Sequence, residues 1–229
     1  MMYYLFILLA IQIQVDDQLL EHPLDFLVLI ILICSFKMSA QEQKMSAQEI
    51  VKFKETIENQ SKSIKTIKTD FVQIKHMDFL TKDIETSGKM YFKSPNLLNW
   101  QYTKPYQYII IFKNNKVYIN DQGNKSTVDA KSKIFEKINK IIVGSVSGNM
   151  FDDKEFDISY FKTKEHYITK LIPKTASIKK MIKQIDLYFP LKDATVSEVK
   201  LIESSGDYTK IIFKNKVINA KIDDSVFTN

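Results

Sequence analysis

SGKMYFKSPNLLNWQYTKPYQYIIIFKNNKVYIND, residues 87–121, decides the fold. It holds the chain's single Trp and two of its five Pro, and it reads as four short strands. The first spans 88–93 and is broken by Ser94-Pro95-Asn96. The second, 98–103, alternates strictly, with Leu98, Trp100 and Tyr102 on one face and Asn99, Gln101 and Thr103 on the other. Alternation with period two marks a sheet with one dry side. Lys104-Pro105 turns the chain into a third strand, 106–113. Asn114-Asn115 makes a two-residue hairpin into a fourth, 116–121, because such a loop needs residues that tolerate positive φ.

Outward from this meander, residues 46–61 carry Ile50, Phe53 and Ile57 at helical spacing with charge between them, which predicts an amphipathic helix that packs on the core. Residues 67–75 read as a strand, and 77–86 as a loop or its continuation. Downstream, 122–130 (QGNKSTVDA) reads as a turn cluster. Residues 130–143 place Ile134, Phe135, Ile138, Ile141 and Ile142 on one helical stripe, with Gly144 as a stop. The small, apolar run 143–151 suits either a plain loop or a compliant segment beside a lid. Further strands are expected over 155–162, 165–172, 184–189, 196–203 and 208–214. A basic connector covers 176–180, and 217–222 is a short edge piece. The fold class is therefore α+β: about nine to eleven antiparallel strands and two helices, in a sheet large enough to curl and in need of helical cover.

Composition narrows the function classes. The chain has 229 residues and a net charge of +6, and all 33 of its basic residues are Lys. Bidentate grip on phosphate or guanine edges belongs to Arg, so specific nucleic-acid readout is disfavoured. Two apolar runs, 1–11 and 24–33, precede the domain, and each is shorter than the ~20 residues of a membrane-spanning helix. The second, followed by Ser39-Ala40, reads as the apolar core of a secretory signal over residues 1–40. It departs from the usual form, since Asp16, Asp17, Glu21 and Asp25 precede the first Lys, Lys37. One account of that is a translation start later than Met1. Loss of 1–40 removes the only Cys, Cys34, and raises the net charge to +9. Residues 41–47 read as a linker carrying a repeat of Met-Ser-Ala-Gln-Glu, with alternative cleavage sites after Ala40 and Ala47. The domain proper is then 48–229.

No catalytic set stands out. His76 and His166 lie in no metal-ligand spacing, and no cofactor is implied. Ser204-Ser205-Gly206-Asp207 looks like a hairpin turn rather than a nucleophile loop. The carboxylate pairs Asp152-Asp153 and Asp223-Asp224 sit in loop contexts. A non-enzymatic protein is expected, and a lipid hydrolase is disfavoured by the missing nucleophile–base pair.

The meander resembles the signature of the LolA family, periplasmic carriers of outer-membrane lipoproteins. The shared features are a Gly-started strand, a Pro-Asn turn, an apolar-x-Trp strand, a Pro, and a hairpin ending in an aromatic and Asp. An upstream Phe-x-Gln, here Phe71-Val72-Gln73, fits as well. The match is strongest over 64–121 and continues loosely to Phe227. The resemblance implies an incomplete half-barrel with helices over an apolar cavity for acyl chains. Cavity candidates are Phe71, Met90, Phe92, Leu98, Trp100 and Tyr102 from the strands, and Ile134, Ile138, Ile141 and Ile142 from the helical stripe. Pattern alone suits these side chains to a closed core; the resemblance favours a cavity.

It further implies a monomer in the periplasm that takes acylated lipoproteins from an inner-membrane release transporter to an outer-membrane acceptor. A second use of the same fold is a membrane-associated module that senses lipid or lipoprotein, favoured if residues 1–36 stay as an anchor. In either case a buried methylene contributes ~0.8 kcal/mol. Three fully dried acyl chains would exceed the ceiling of reversible affinity, ~20 kcal/mol, so a carrier must bury them incompletely. One departure concerns the gate position before Pro-Asn, commonly Arg in the family and here Ser94. Ser lacks the reach and charge to latch a lid, so the cavity is expected to sit more open when empty.

Overall fold

The computed structural model describes residues 41–129, 154–193 and 195–228. The expected helix over 130–143, with Ile134, Ile138, Ile141 and Ile142, lies outside the described residues, as does the 143–151 run.

The described chain opens with β1 (Gln43–Lys44) and helix α1 (Ala47–Ser63). Ser46 starts the helix: its hydroxyl accepts the Glu49 N–H at 3.3 Å, and the Glu49 carboxylate accepts the Ser46 N–H at 2.9 Å. This reciprocal capping satisfies two N-terminal donors that would otherwise lack partners. Phe53 and Ile57 form the buried face of α1. The stretch expected as a linker is drawn into the fold. Gln43–Lys44 pairs with β8 (Phe156–Lys162), Met45 is buried, and its N–H donates to the Tyr160 carbonyl at 3.0 Å. The second copy of the Met-Ser-Ala-Gln-Glu repeat thus supplies a core side chain, a helix cap and its reciprocal carboxylate.

The remaining strands are β2 (Thr66–His76), β3 (Ile84–Lys93), β4 (Leu97–Lys104), β5 (Tyr108–Lys113), β6 (Lys116–Asp121) and β7 (Asn124–Asp129). After β8 come β9 (His166–Pro173), the single-turn helix α2 (Ala176–Lys179), β10 (Ile182–Pro190), β11 (Glu198–Glu203) and β12 (Tyr208–Ile218). All twelve strands of the described residues form one sheet in the order β1-β8-β9-β10-β11-β12-β2-β3-β4-β5-β6-β7, every pairing antiparallel. β1 and β7 stand at opposite ends of that order, so the sheet is an unclosed barrel.

Twelve strands exceed the nine to eleven expected because two arise where none was foreseen. One is β1. The other is β7: Gln122 and Gly123, at φ 51° and 99°, make the turn expected of the 122–130 cluster, and Asn124–Asp129 then pairs along all of β6. The connector at 176–180 contains α2, which buries Ile178. The edge piece expected at 217–222 is instead the end of β12, which continues past an irregularity between Lys214 and Val217 to pair with Lys68 and Ile67. Asn114 and Asn115 both have positive φ, 52° and 59°, as the β5–β6 hairpin requires.

Two core clusters cover the inner face. α1 packs Phe53 and Ile57 on Phe156, Tyr160, Ile185, Leu187 and Phe189 of β8 and β10. Ile67, Phe71, Phe92, Leu98 and Trp100 belong to the second, on β2 to β4. Phe213 of β12 packs against both. The outer face of β4 is closed by a 3-10 turn, Asp224–Phe227. Asn99 donates its amide to the Val226 carbonyl at 2.5 Å, Lys93 pairs with Asp224, and Phe227 is buried.

Candidate functional site

Strand register sorts the inner face over β2 to β6 into three rows. Ile67, Phe92, Leu98, Phe112 and Val117 form the first. Met90, Trp100, Ile110 and Ile119 form the second, and Phe71, Gly88, Tyr102 and Tyr108 the third. The six strand residues expected from sequence therefore share one face. Phe71 meets Trp100 at a ring-centroid separation of 4.3 Å and Tyr102 edge-on at 5.2 Å. Gly88 lies between Phe71 and Tyr102 in the register, and any Cβ there would come within 1.9 Å of the Gln101 carbonyl oxygen. Its absence lets the backbone close up where the β3–β4 register shifts at Ser87/Gly88.

Exposure rises along the rows. The first is sealed, with Leu98 and Val117 both 0% exposed. In the second, Met90 and Trp100 are buried while Ile110 and Ile119 are half-buried. In the third, Phe71 is buried but Tyr102 and Tyr108 are partly open. Beyond them the Lys104–Gln107 loop is exposed. The apolar face is thus shut at the β3–β4 turn and opens toward Tyr102 and Tyr108.

Two polar features sit on it. The Tyr102 hydroxyl donates to Gln73 Oε1 at 3.0 Å. Burial raises its pKa above the usual 10, with Trp100 and Gln73 opposing the shift. The Trp100 indole N–H is close enough to exert that influence, yet it is buried and meets no acceptor in hydrogen-bond geometry among the described residues.

Ser94 lies exposed in the β3–β4 turn, and its N–H donates to the Lys65 carbonyl at 2.8 Å. It therefore tethers the sealed end of the face to the junction between α1 and β2. Lys93 points outward to Asp224, as the strand alternation predicts. Sequence reasoning missed Ile110 and Ile119; the signal was available, because both follow from Trp100 once the hairpin registers are written out.

The residues weighed for chemistry have structural partners. His76 lies between Asp83, 2.7 Å from Nδ1, and Asp78, 3.3 Å from Nε2, and stacks on Tyr208. The Asp83 contact is the main cause of its raised pKa. His166 stands edge-on to Tyr188. Ser204–Asp207 is the β11–β12 turn, with Gly206 at φ 103° and the Ser204 hydroxyl donating to the Lys179 carbonyl. Asp223 caps the 3-10 turn through the Ser225 N–H. Asp152 and Asp153 lie outside the described residues. Among the described residues no group of three or more His, Cys, Asp or Glu is placed to hold a metal ion. None of their helices is long and apolar enough to cross a membrane.

Residues 62–229 match the family profile described as "Outer membrane lipoprotein carrier protein LolA". A relative from Methylococcus capsulatus, named outer-membrane lipoprotein carrier protein, is 25% identical over 170 residues, 72% of this chain and 77% of that one. Among solved structures, a LolA superfamily protein from Nitrosomonas europaea aligns with a TM-score of 0.40 and 8% identity over 76% of this chain and 97% of that one. A chain of the Pseudomonas aeruginosa MucA/MucB complex aligns at 0.48 with 7% identity, over 77% and 59%.

Proposed function

We propose a carrier function from one premise: the chain belongs to the LolA family of outer membrane lipoprotein carrier proteins. On this reading it binds the acyl chains of lipoproteins on the inner face of the sheet and carries them through the periplasm. The donor is an inner-membrane release transporter and the receiver an outer-membrane acceptor. Phe71, Met90, Phe92, Leu98, Trp100 and Tyr102 are the contact residues.

The observation that carries the reading is the buried indole N–H of Trp100, set within apolar rows and meeting no acceptor in good geometry among the described residues. A buried donor without an acceptor costs ~1–3 kcal/mol. An acylated lipoprotein brings ester and amide carbonyls beside its hydrocarbon, so it supplies both the apolar contact and the missing acceptor. The exposure gradient supports access from the Tyr102–Tyr108 end. Sealed positions such as Leu98 are reached only when whatever covers them moves aside.

The test is purification of the chain from its native envelope, followed by mass spectrometry of what accompanies it. Acylated proteins should be recovered, and Trp100→Phe, which keeps the ring and loses the donor, should recover several-fold less, on the scale of one hydrogen bond. Absence of any acylated protein ends the carrier reading. Recovery only in membranes, with residues 1–36 retained, turns it into the sensing module.

A further inference from the structure

We propose that the free edge of β7 pairs with the same edge of a second copy of this chain, making a two-fold dimer with one sheet running through both. This does not rest on the carrier reading. The two ends of the strand order differ. β1 has two residues and leads at once into α1, the short form an edge strand takes when it is kept from pairing. β7 has six residues, pairs with β6 along its whole length without a bulge, and holds no Pro. Residues 124–128 are all exposed, Val128 to 40%. Among the described residues no strand lies on the far side of β7. An open edge of this length is a template for another strand.

The hairpin fixes which backbone groups face outward. Gln122 and Gly123, both at positive φ, make a two-residue turn, and such a turn is closed by a hydrogen-bonded pair, here Asp121 and Asn124. Bonded and non-bonded pairs alternate from there. Asn124, Ser126 and Val128 therefore bond β6, while Lys125, Thr127 and Asp129 turn their N–H and C=O groups to the free edge. Two copies related by an isologous two-fold axis at Thr127 bring these groups into register. Thr127 then meets Thr127 of the partner, and Lys125 of each copy stands opposite Asp129 of the other. Every outward backbone group of β7 is paired, and residues of opposite charge face each other on both sides of a favourable Thr–Thr pair. An axis at Ser126 or Val128 loses outward pairs and matches no charges, and one at Lys125 or Asp129 sets like charges together. The sequence of β7 is complementary to itself in this one register, which identifies a second copy as the occupant.

Sedimentation equilibrium of the full chain over a range of concentrations tests this, together with disulfide trapping in a Cys34→Ser background. The contact is a single strand pair, so a reversible, concentration-dependent dimer is expected. Lys125→Asp, which sets like charges opposite each other, should weaken association by at least about tenfold. Lys125→Asp/Asp129→Lys should restore it. In a hydrogen-bonded pair the two Thr127 Cα atoms would stand about 5.5 Å apart, within disulfide reach. Thr127→Cys should therefore be trapped as a dimer under mild oxidation, and Ser126→Cys far more slowly. A monomer at every concentration overturns the proposal. So does a dimer that Lys125→Asp leaves unchanged, or one trapped faster through position 126 than through 127, because the copies would then meet elsewhere or in another register.

Discussion

Gly88 and Asn99 mark the limits of reading single residues. The alternation in LLNWQYT correctly put Leu98, Trp100 and Tyr102 on one face, because period-two patterning reports directly on burial. The same rule put Asn99 toward solvent. It is buried, since its amide is taken by a carbonyl 127 residues later, and no local pattern encodes that partner. Gly88 was legible as a strand start but not as the point where β3 and β4 close together. Gly88→Ala should destabilise the protein by ~1–3 kcal/mol as an overpacked site. A urea midpoint equal to that of the parent would refute the close approach. Glu49 offers a test through pH. Hydrogen bonding from the Lys162 ammonium and then from the Ser46 backbone lowers its pKa from 4.5 to about 2. A lowered folded-state pKa contributes stability that is complete above the unfolded value and is lost as pH falls through the folded one. The Tm difference between parent and Glu49→Gln should therefore hold steady above pH 4.5 and shrink between 4.5 and about 2. A difference that does not vary over that window would place the stabilising charge elsewhere.

Elements were legible in proportion to their own apolar content. α1 and β2 to β6 carry strong periodicity and appear within a few residues of expectation. β7, NKSTVD, has one large apolar side chain and forms because β6 offers it an edge; that is a tertiary cause. β1 is two residues long and is held by β8 and by the burial of Met45. Cleavage after Ala47 would discard both, together with the Ser46 cap; cleavage after Ala40 keeps them. The C-terminal 3-10 turn has no signal in the local pattern, yet it seals the outer side of β4. Phe227 is 2% exposed, and Phe227→Ala should cost ~3–5 kcal/mol, read by denaturant unfolding. A loss below 1 kcal/mol would show the turn to be an ornament on a sheet already complete.

For the whole molecule, strand count and patterning predicted a curled antiparallel sheet, and the structure shows one that does not close. The purpose of the inner face was not legible from pattern, because a dry core and a lipid-lined hollow draw on the same amino acids. Only the family resemblance favours the hollow over the core. The gate expected at Ser94 is open to a kinetic test. Ser94 sits at the sealed end, tied to Lys65 through backbone alone. Ser94→Arg, which restores the residue common in the family, should slow uptake or release of acylated cargo in a transfer assay. An unchanged rate would count against a latch at this turn.

The gradient from Leu98 to Tyr108 has one more consequence. On the carrier reading, the sealed row at Leu98 would make a blind end, so a chain that entered tail-first past Tyr108 would have to back out by the same route. Handover between two such proteins would then require their openings to face each other, and lipid would never cross open water during the exchange.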